Sequence, residues 1–274
     1  MGVPTKIEKQ LLPSFEEPPV IEVICGLTFK PLDGLLAPHL GILWAKFQSD
    51  YPVCKQVEPL IPVIETFDGG EINLGSFTLP LLPRIWFVSK DQNGIIQVQR
   101  DRFLHNWRKV RPTDEYPRYG TVIEKFRKAH SVFDSFLKEN DLGPIVPVQY
   151  EMSYVNHIPQ GPGWQSTKDI RRIFPDFSWR NGARFLKEPE KINWSTSFLL
   201  PDQSARLHIA IQLAARRQDR LPVLVLELTV RGIGPDTSPE GSRSWFDTAR
   251  EWIVRSFADI TGNDIQQGVW KRVS

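Results

Sequence analysis

The chain has 274 residues, 41% of them hydrophobic and 24% charged, which is enough for a sizeable core and a length that suits two ordinary domains better than one. Lys and Arg (34) nearly cancel Asp and Glu (32), and the net charge of +2 excludes long-range capture of nucleic acid by a basic surface excess, although a local basic groove stays open. Two cysteines exclude a disulfide framework and a four-thiolate zinc site, and no apolar run reaches the ~18 residues of a membrane span, so the expectation is a soluble, cytoplasmic protein with no membrane partner.

Residues 1–17 are polar, end at a Pro-Pro pair and lack the apolar stretch of a signal peptide, so they read as an N-terminal arm. Val20 to Phe29 is rich in β-branched residues and predicts a strand. Leu36, Leu40, Leu43, Trp44 and Phe47 recur at helical spacing and predict a helix starting near Pro38 and closed by Tyr51-Pro52. Val57 to Phe67 contains Pro59 and Pro62, precedes Asp68-Gly69-Gly70, and reads as an edge strand and a turn. Arg84 to Lys90 and Ile95 to Trp107 flank Asn93-Gly94, a pair that accepts positive φ, and predict a β-hairpin. With Ile95 to Trp107 as one strand, Gln97, Gln99 and Asp101 share a face. From Thr121 to Asn140, Val122, Phe126, Ala129, Val132, Phe133, Phe136 and Leu137 form one apolar stripe, and Gly143-Pro144 stops the helix.

A similar order recurs from Pro147. Pro147 to Ile158 is strand-like, and Thr167 to Phe177 includes a short helix with Thr167 as N-cap. Ile192 to Leu200, Ala205 to Leu213 and Leu221 to Val230 predict three strands, the last two with one buried and one wet face. Ser244 to Ile260 predicts a closing helix with Trp245, Ala249, Ile253 and Phe257 along its stripe. The fold class is therefore α+β, divided into the arm, a first half at 18–143 and a second at 144–274. Two arrangements fit: tandem strand–helix–antiparallel sheet–helix halves joined into one continuous curved platform, or one large mixed sheet.

The stretches EEPPVIEVICGLTF, RIWFVSKDQNGIIQVQRDRFLHNWRKV with the following YPRY, and YEMSYVNHI resemble a sporadically distributed family of uncharacterised bacterial proteins. Its members open on a Pro-Pro-Val-x-Glu-Val strand and carry a Gln-Val-Gln-x-Asp-x-Phe…Asn-Trp-Arg segment. The resemblance implies a bacterial origin, mobile or defence-related gene neighbourhoods such as toxin–antitoxin or antiphage systems, and an accessory role. It brings no catalytic residues.

Catalytic constellations are missing from the residues. His39, His105, His130, His157 and His208 stand singly, without metal-ligand spacing, and phosphate-loop and Gly-x-Ser-x-Gly patterns are absent, so no cofactor and no metal are expected. Cys25 reads as inert strand packing, while Cys54 beside Lys55 is a surface thiol that the lysine could acidify. Glu65, Asp68, Glu71 and Glu227 read as solvated acids, not a nuclease centre. The strongest candidate site is Gln97, Gln99, His105, Asn106, Trp107, Arg108 and Arg118, whose amides, guanidinia and indole suit a planar or anionic ligand or a protein partner. The second is Arg171, Arg172, Trp179, Arg180 and Arg184, where basic groups interleave with aromatics as in nucleic-acid or protein interfaces. The leading expectation is a non-enzymatic binding module that recognises a nearby-encoded protein partner or a ligand on a sheet platform. A nucleic-acid-binding accessory protein, or an enzyme acting through His105, Asn106 and Arg108, are the alternatives.

Overall fold

The computed structural model describes residues 11–61, 63–67, 82–177, 185–186, 188–216 and 219–274. In chain order these form β1 (Val20–Phe29), α1 (Ala37–Phe47), β2 (Val53–Val57), β3 (Arg84–Val88), β4 (Gly94–Gln99), β5 (Arg102–Arg108), α2 (Arg118–Glu139) and β6 (Pro147–Pro159). A single 3-10 turn at Thr167–Asp169 leads into α3 (Ile170–Ile173), followed by β7 (Asn193–Leu199), β8 (Ala205–Ala215), β9 (Pro222–Gly232), α4 (Pro239–Ile260) and α5 (Asn263–Gly268). The nine described strands make one antiparallel sheet in the order β2-β3-β4-β5-β1-β6-β9-β8-β7. β1 and β6 pair near its centre, Cys25 opposite Met152.

Strand alternation sorts the side chains onto two faces. On one, Cys25 lies between His105 and Met152, Phe103 opposite Val98, and Val230 opposite Leu207. These residues are buried, and the helices cover them: α2 packs on β5 and β1, α4 on β9 and β6, and α1 on β3 and α2. Aromatic rings join the layers. Phe103 stacks on Phe133 of α2 at 5.0 Å, and Phe126 of α2 meets Phe246 of α4 edge-on at 5.2 Å. Each such ring, fully buried, stabilises the fold by roughly 1.5–3 kcal/mol.

Several expectations are corrected in detail. Ile95 to Trp107 is two strands, because Arg100-Asp101 forms a tight turn whose carbonyls accept the N–H groups of Leu32 and Phe29 (3.0 and 2.9 Å). No local turn signal marks that break; the chain leaving β1 stabilises it. The β3–β4 hairpin exists, but its positive φ falls on Gln92 (65°), and Asn93 instead donates through Nδ2 to the Arg108 carbonyl and Asp114 (2.8 and 2.7 Å). The edge strand of this region is Val53–Val57, not Val57 to Phe67, where the prolines leave irregular chain; Asp68-Gly69-Gly70 lies outside the described residues. The cap before α3 is Ser166, whose Oγ accepts from Lys168 N–H (3.3 Å), while Thr167 donates to Glu188 (2.8 Å). α4 begins five residues early because Ser238 caps it, accepting from Gly241 N–H at 3.1 Å, and Pro239 starts it.

The described part of the arm is tied down. Phe15 is buried against Phe257 and Trp270, and the N–H groups of Glu16 and Glu17 donate to the carbonyls of Lys271 and Trp270 (3.1 Å each). No described helix is long and apolar enough to cross a membrane.

Candidate functional site

The second face of the sheet carries no described helix, and its residues are those that alternate with the core set. Direct cross-strand partners there include Trp86 and Gln97, Asn106 and Ile24, Ser153 and Thr229, and Thr229 and His208. Polar side chains here either reach water or bond to one another.

On the first side of this face they bond to one another. Arg84 Nη1 and Trp86 Nε1 both donate to Gln97 Oε1 at 2.9 Å. Gln97 Nε2 donates to Asn106 Oδ1, and Asn106 Nδ2 donates to Glu22 Oε1, each at 2.7 Å. The register makes this chain: Gln97 and Asn106 are diagonal neighbours across β4 and β5, as are Asn106 and Glu22 across β5 and β1. Gln97 and Asn106 are only 5% and 3% exposed. Burial raises the Glu22 carboxyl above its ordinary range, against the opposing Asn106 hydrogen bond and Arg108 charge. Arg102 lies on the same face, almost buried, with no ion pair among the described residues.

The chain after β2 crosses this face from β4 toward β8. Leu60 exchanges hydrogen bonds with the Gln99 amide (2.9 and 3.0 Å). Gln149 on β6 accepts from Glu65 N–H and donates to the Val63 carbonyl (2.8 Å each). Glu65 then pairs with Arg206 and, at 2.5 Å, with His208 on β8. Burial works against its charge, but the bonds and charges of His208 and Arg206 outweigh that and hold the carboxyl below its ordinary range. Arg231 pairs with Glu151 in the same manner.

The face ends at β7, whose outer edge pairs with no described strand. Leu200 N–H donates to the Ala205 carbonyl and Leu213 N–H to the Ile192 carbonyl. The alternation of an antiparallel ladder therefore turns the N–H groups of Trp194, Thr196 and Phe198 toward β8. Those of Asn193, Ser195, Ser197 and Leu199 face outward. β7 reads NWSTSFL, without charge or proline, and Phe198 and Leu199 are 48% and 46% exposed. The opposite edge, β2, carries Lys55 and follows Pro52, both of which discourage added strands.

The sequence-predicted residues are thus divided. Gln97, Gln99, Asn106 and Arg108 lie on the helix-free face. His105 and Trp107 point the other way, into the core: His105 is fully buried, its Nε2 sits 3.3 Å from the Tyr51 hydroxyl, and burial, with the Lys125 charge, lowers its pKa to about 3. Trp107 packs on Tyr116 at 5.4 Å. Arg118 starts α2 on the helix side, donating to the Phe15 carbonyl (2.9 Å). Arg171 and Arg172 are exposed on α3, which packs on α5 away from the helix-free face. Trp179, Arg180 and Arg184 lie outside the described residues, as does Glu71. Cys54 is exposed, and burial raises its thiol pKa, so Lys55 does not acidify it. Glu22, Arg84, Trp86 and the β7 edge joined the site only through sheet register, although the uncharged run from Asn193 to Leu199 was visible beforehand.

Among the described residues no three His, Cys, Asp or Glu side chains converge as a metal site. Many polar groups of this face bond to one another, the Thr229 hydroxyl to both Ser153 and Glu227 (2.7 and 3.2 Å), while Arg102 Nε is buried without a described partner. Comparison with models of known protein families gave no match, and neither did comparison with curated proteins.

Proposed function

We propose that the protein is a non-enzymatic binding module that receives an extended segment of a protein partner along β7, continuing onto the helix-free face. The observation that carries this reading is the outer edge of β7, with four outward N–H positions, no charge and exposed Phe198 and Leu199. An added strand satisfies the outward N–H and C=O groups, and its alternate side chains meet Ser195 and Ser197 on one face and Thr196 and Phe198 on the other. A protein is favoured over nucleic acid because Arg206 and Arg231 of the adjoining face are already paired with Glu65 and Glu151, leaving no basic stripe beside the edge among the described residues.

The strand order supports a second part of the proposal, that 18–143 and 144–274 are tandem halves. From the central pair, the strands run outward as β1-β5-β4-β3-β2 on one side and β6-β9-β8-β7 on the other, and a long helix ends each half. On this reading no described strand of the second half matches β2, and the partner segment takes that place beside β7.

The test is affinity purification from the native host with wild type and Ser197→Pro. Proline at 197 removes an outward N–H and leaves the ladder to β8 intact, so folding stability stays within about 0.5 kcal/mol. A co-purifying protein that withstands high salt with wild type and is lost with the variant is the expected result. Capture unaffected by the variant, or only nucleic acid released by salt, overturns it. A wild-type dimer abolished by Ser197→Pro replaces the foreign partner with a second copy of this chain.

A further inference from the structure

A cavity of about 490 Å3 lies on the other side of the sheet, between the start of α2, the outer part of α4 and the central strands, with residues 12–15 and 18–20 along its rim. That volume falls within the range of small-molecule sites. Its walls are apolar, with Phe15 and Phe257 to one side and Leu228 at the sheet. Its polar groups are few and of one electrostatic sense. Arg118 and Arg250 line it, and no described Asp or Glu does. Arg250 lies over the Tyr119 ring at 5.0 Å and has no ion-pair partner among the described residues. The N-terminus of α2, with no acidic residue in its first turn and no side-chain cap, adds its positive end at the same mouth.

Two features distinguish this cavity from a gap between helices. Arg118 adopts a left-handed backbone (φ 65°), a costly conformation for a non-glycine residue, and from it the guanidinium reaches the Phe15 carbonyl on the rim. At the sheet, Asn156 is 2% exposed; its Nδ2 donates to the Leu226 carbonyl (3.1 Å), and no described donor bonds its Oδ1. Beside it the Tyr116 and Tyr154 hydroxyls bond each other at 2.9 Å. The cavity thus offers positive charge at its mouth, a hydrocarbon and aromatic middle, and an open acceptor at its floor.

We infer that this cavity binds an aromatic carboxylate that carries a hydrogen-bond donor remote from its acid group. The carboxylate pairs with Arg250 and Arg118, the ring lies between Phe15, Phe257 and Leu228, and the donor reaches Asn156 Oδ1. An acceptor open to a largely apolar cavity discriminates among ligands, since an analogue without the donor displaces water from it and leaves it unsatisfied. The inference is independent of the β7 edge.

Calorimetric titration of the full chain with indole-3-acetate, whose ring N–H lies away from its acid, tests it. Tryptamine, which replaces the acid by an amine, and naphthalene-1-acetate, which lacks the donor, are the controls. Indole-3-acetate is expected to saturate below about 1 mM. Tryptamine and naphthalene-1-acetate bind at least about tenfold more weakly, and Arg250→Gln costs the acid about tenfold. Val254→Trp, which fills the cavity from a half-buried position on α4, abolishes binding while the far-UV spectrum is unchanged. No saturation with indole-3-acetate, equal affinity for the amine, or affinity unchanged in both variants overturns the inference.

Discussion

The two faces of the sheet are buried at their centres to a similar degree and by opposite means. Under α2 and α4, Phe103, Phe133, Phe126 and Phe246 exclude water by packing, so what matters there is volume. On the helix-free side Gln97, Asn106, Gln149 and Ser153, beside a few buried aliphatics such as Ile95 and Leu104, exclude it largely by hydrogen bonds to each other, to neighbouring polar side chains and to the chain that crosses them. The first face withstands loss of a hydrogen bond but not loss of a ring. For the second the order is reversed, because each removed partner strands a buried polar atom.

Phe103→Ala should break that contrast most sharply. It removes the ring stacked on Phe133 and costs about 3–5 kcal/mol, read from the urea midpoint of the purified chain. Asn106→Ala should cost about 2 kcal/mol, with Gln97 Nε2 and the Glu22 carboxylate both losing their partner. If Gln97→Ala is added to Asn106→Ala, the two losses should fall short of additivity, since the same chain is already broken; strict additivity would dissolve the network.

Two buried groups, one on each face, also differ in the sign of their response to pH. His105 cannot hold a proton in the core, so its contribution is complete above pH 6.5 and is lost toward about 3, at about 1.4 kcal/mol per pH unit. Glu22 behaves in the opposite sense: burial raises its carboxyl, the native state holds the proton more readily than the unfolded one, and stability declines as pH rises through the ordinary carboxylate range to the raised value. Denaturant midpoints of Glu22→Gln and wild type should therefore coincide in acid and separate at neutral pH, with the variant more stable. The smallest expected effect is at the far edge, where Lys55→Ala in exposed β2 should move stability by less than about 0.5 kcal/mol.

Local pattern in the chain reaches far into this fold. The stripes of α2 and α4 and the alternation of β8 and β9 are periodicities that any packing partner must respect, and all four elements occur where those periods lie. The turn at Arg100-Asp101 was illegible because its stabilising donors, Phe29 and Leu32, come from some seventy positions earlier in the chain. The candidate site was half legible for the same reason. Gln97 and Asn106 stand out as amides in a strand, yet along a single strand 95–107 Gln97 shares a face with His105 and Trp107 and not with Asn106; the turn at Arg100-Asp101 reverses that and brings the two amides together.

The sequence by itself determined where the long amphipathic helices and the alternating strands lie and which side of each is apolar, because those properties depend on spacing within about two helical turns or one strand. Only the tertiary structure decided that β1 would pair with β6, that Asn106 would find Glu22, and that β7 would be left at the edge without a charge to guard it. Those outcomes depend on register between segments as far apart as Val20 and Asn156, and register is settled by the fit of whole faces, a property that no short stretch of chain carries.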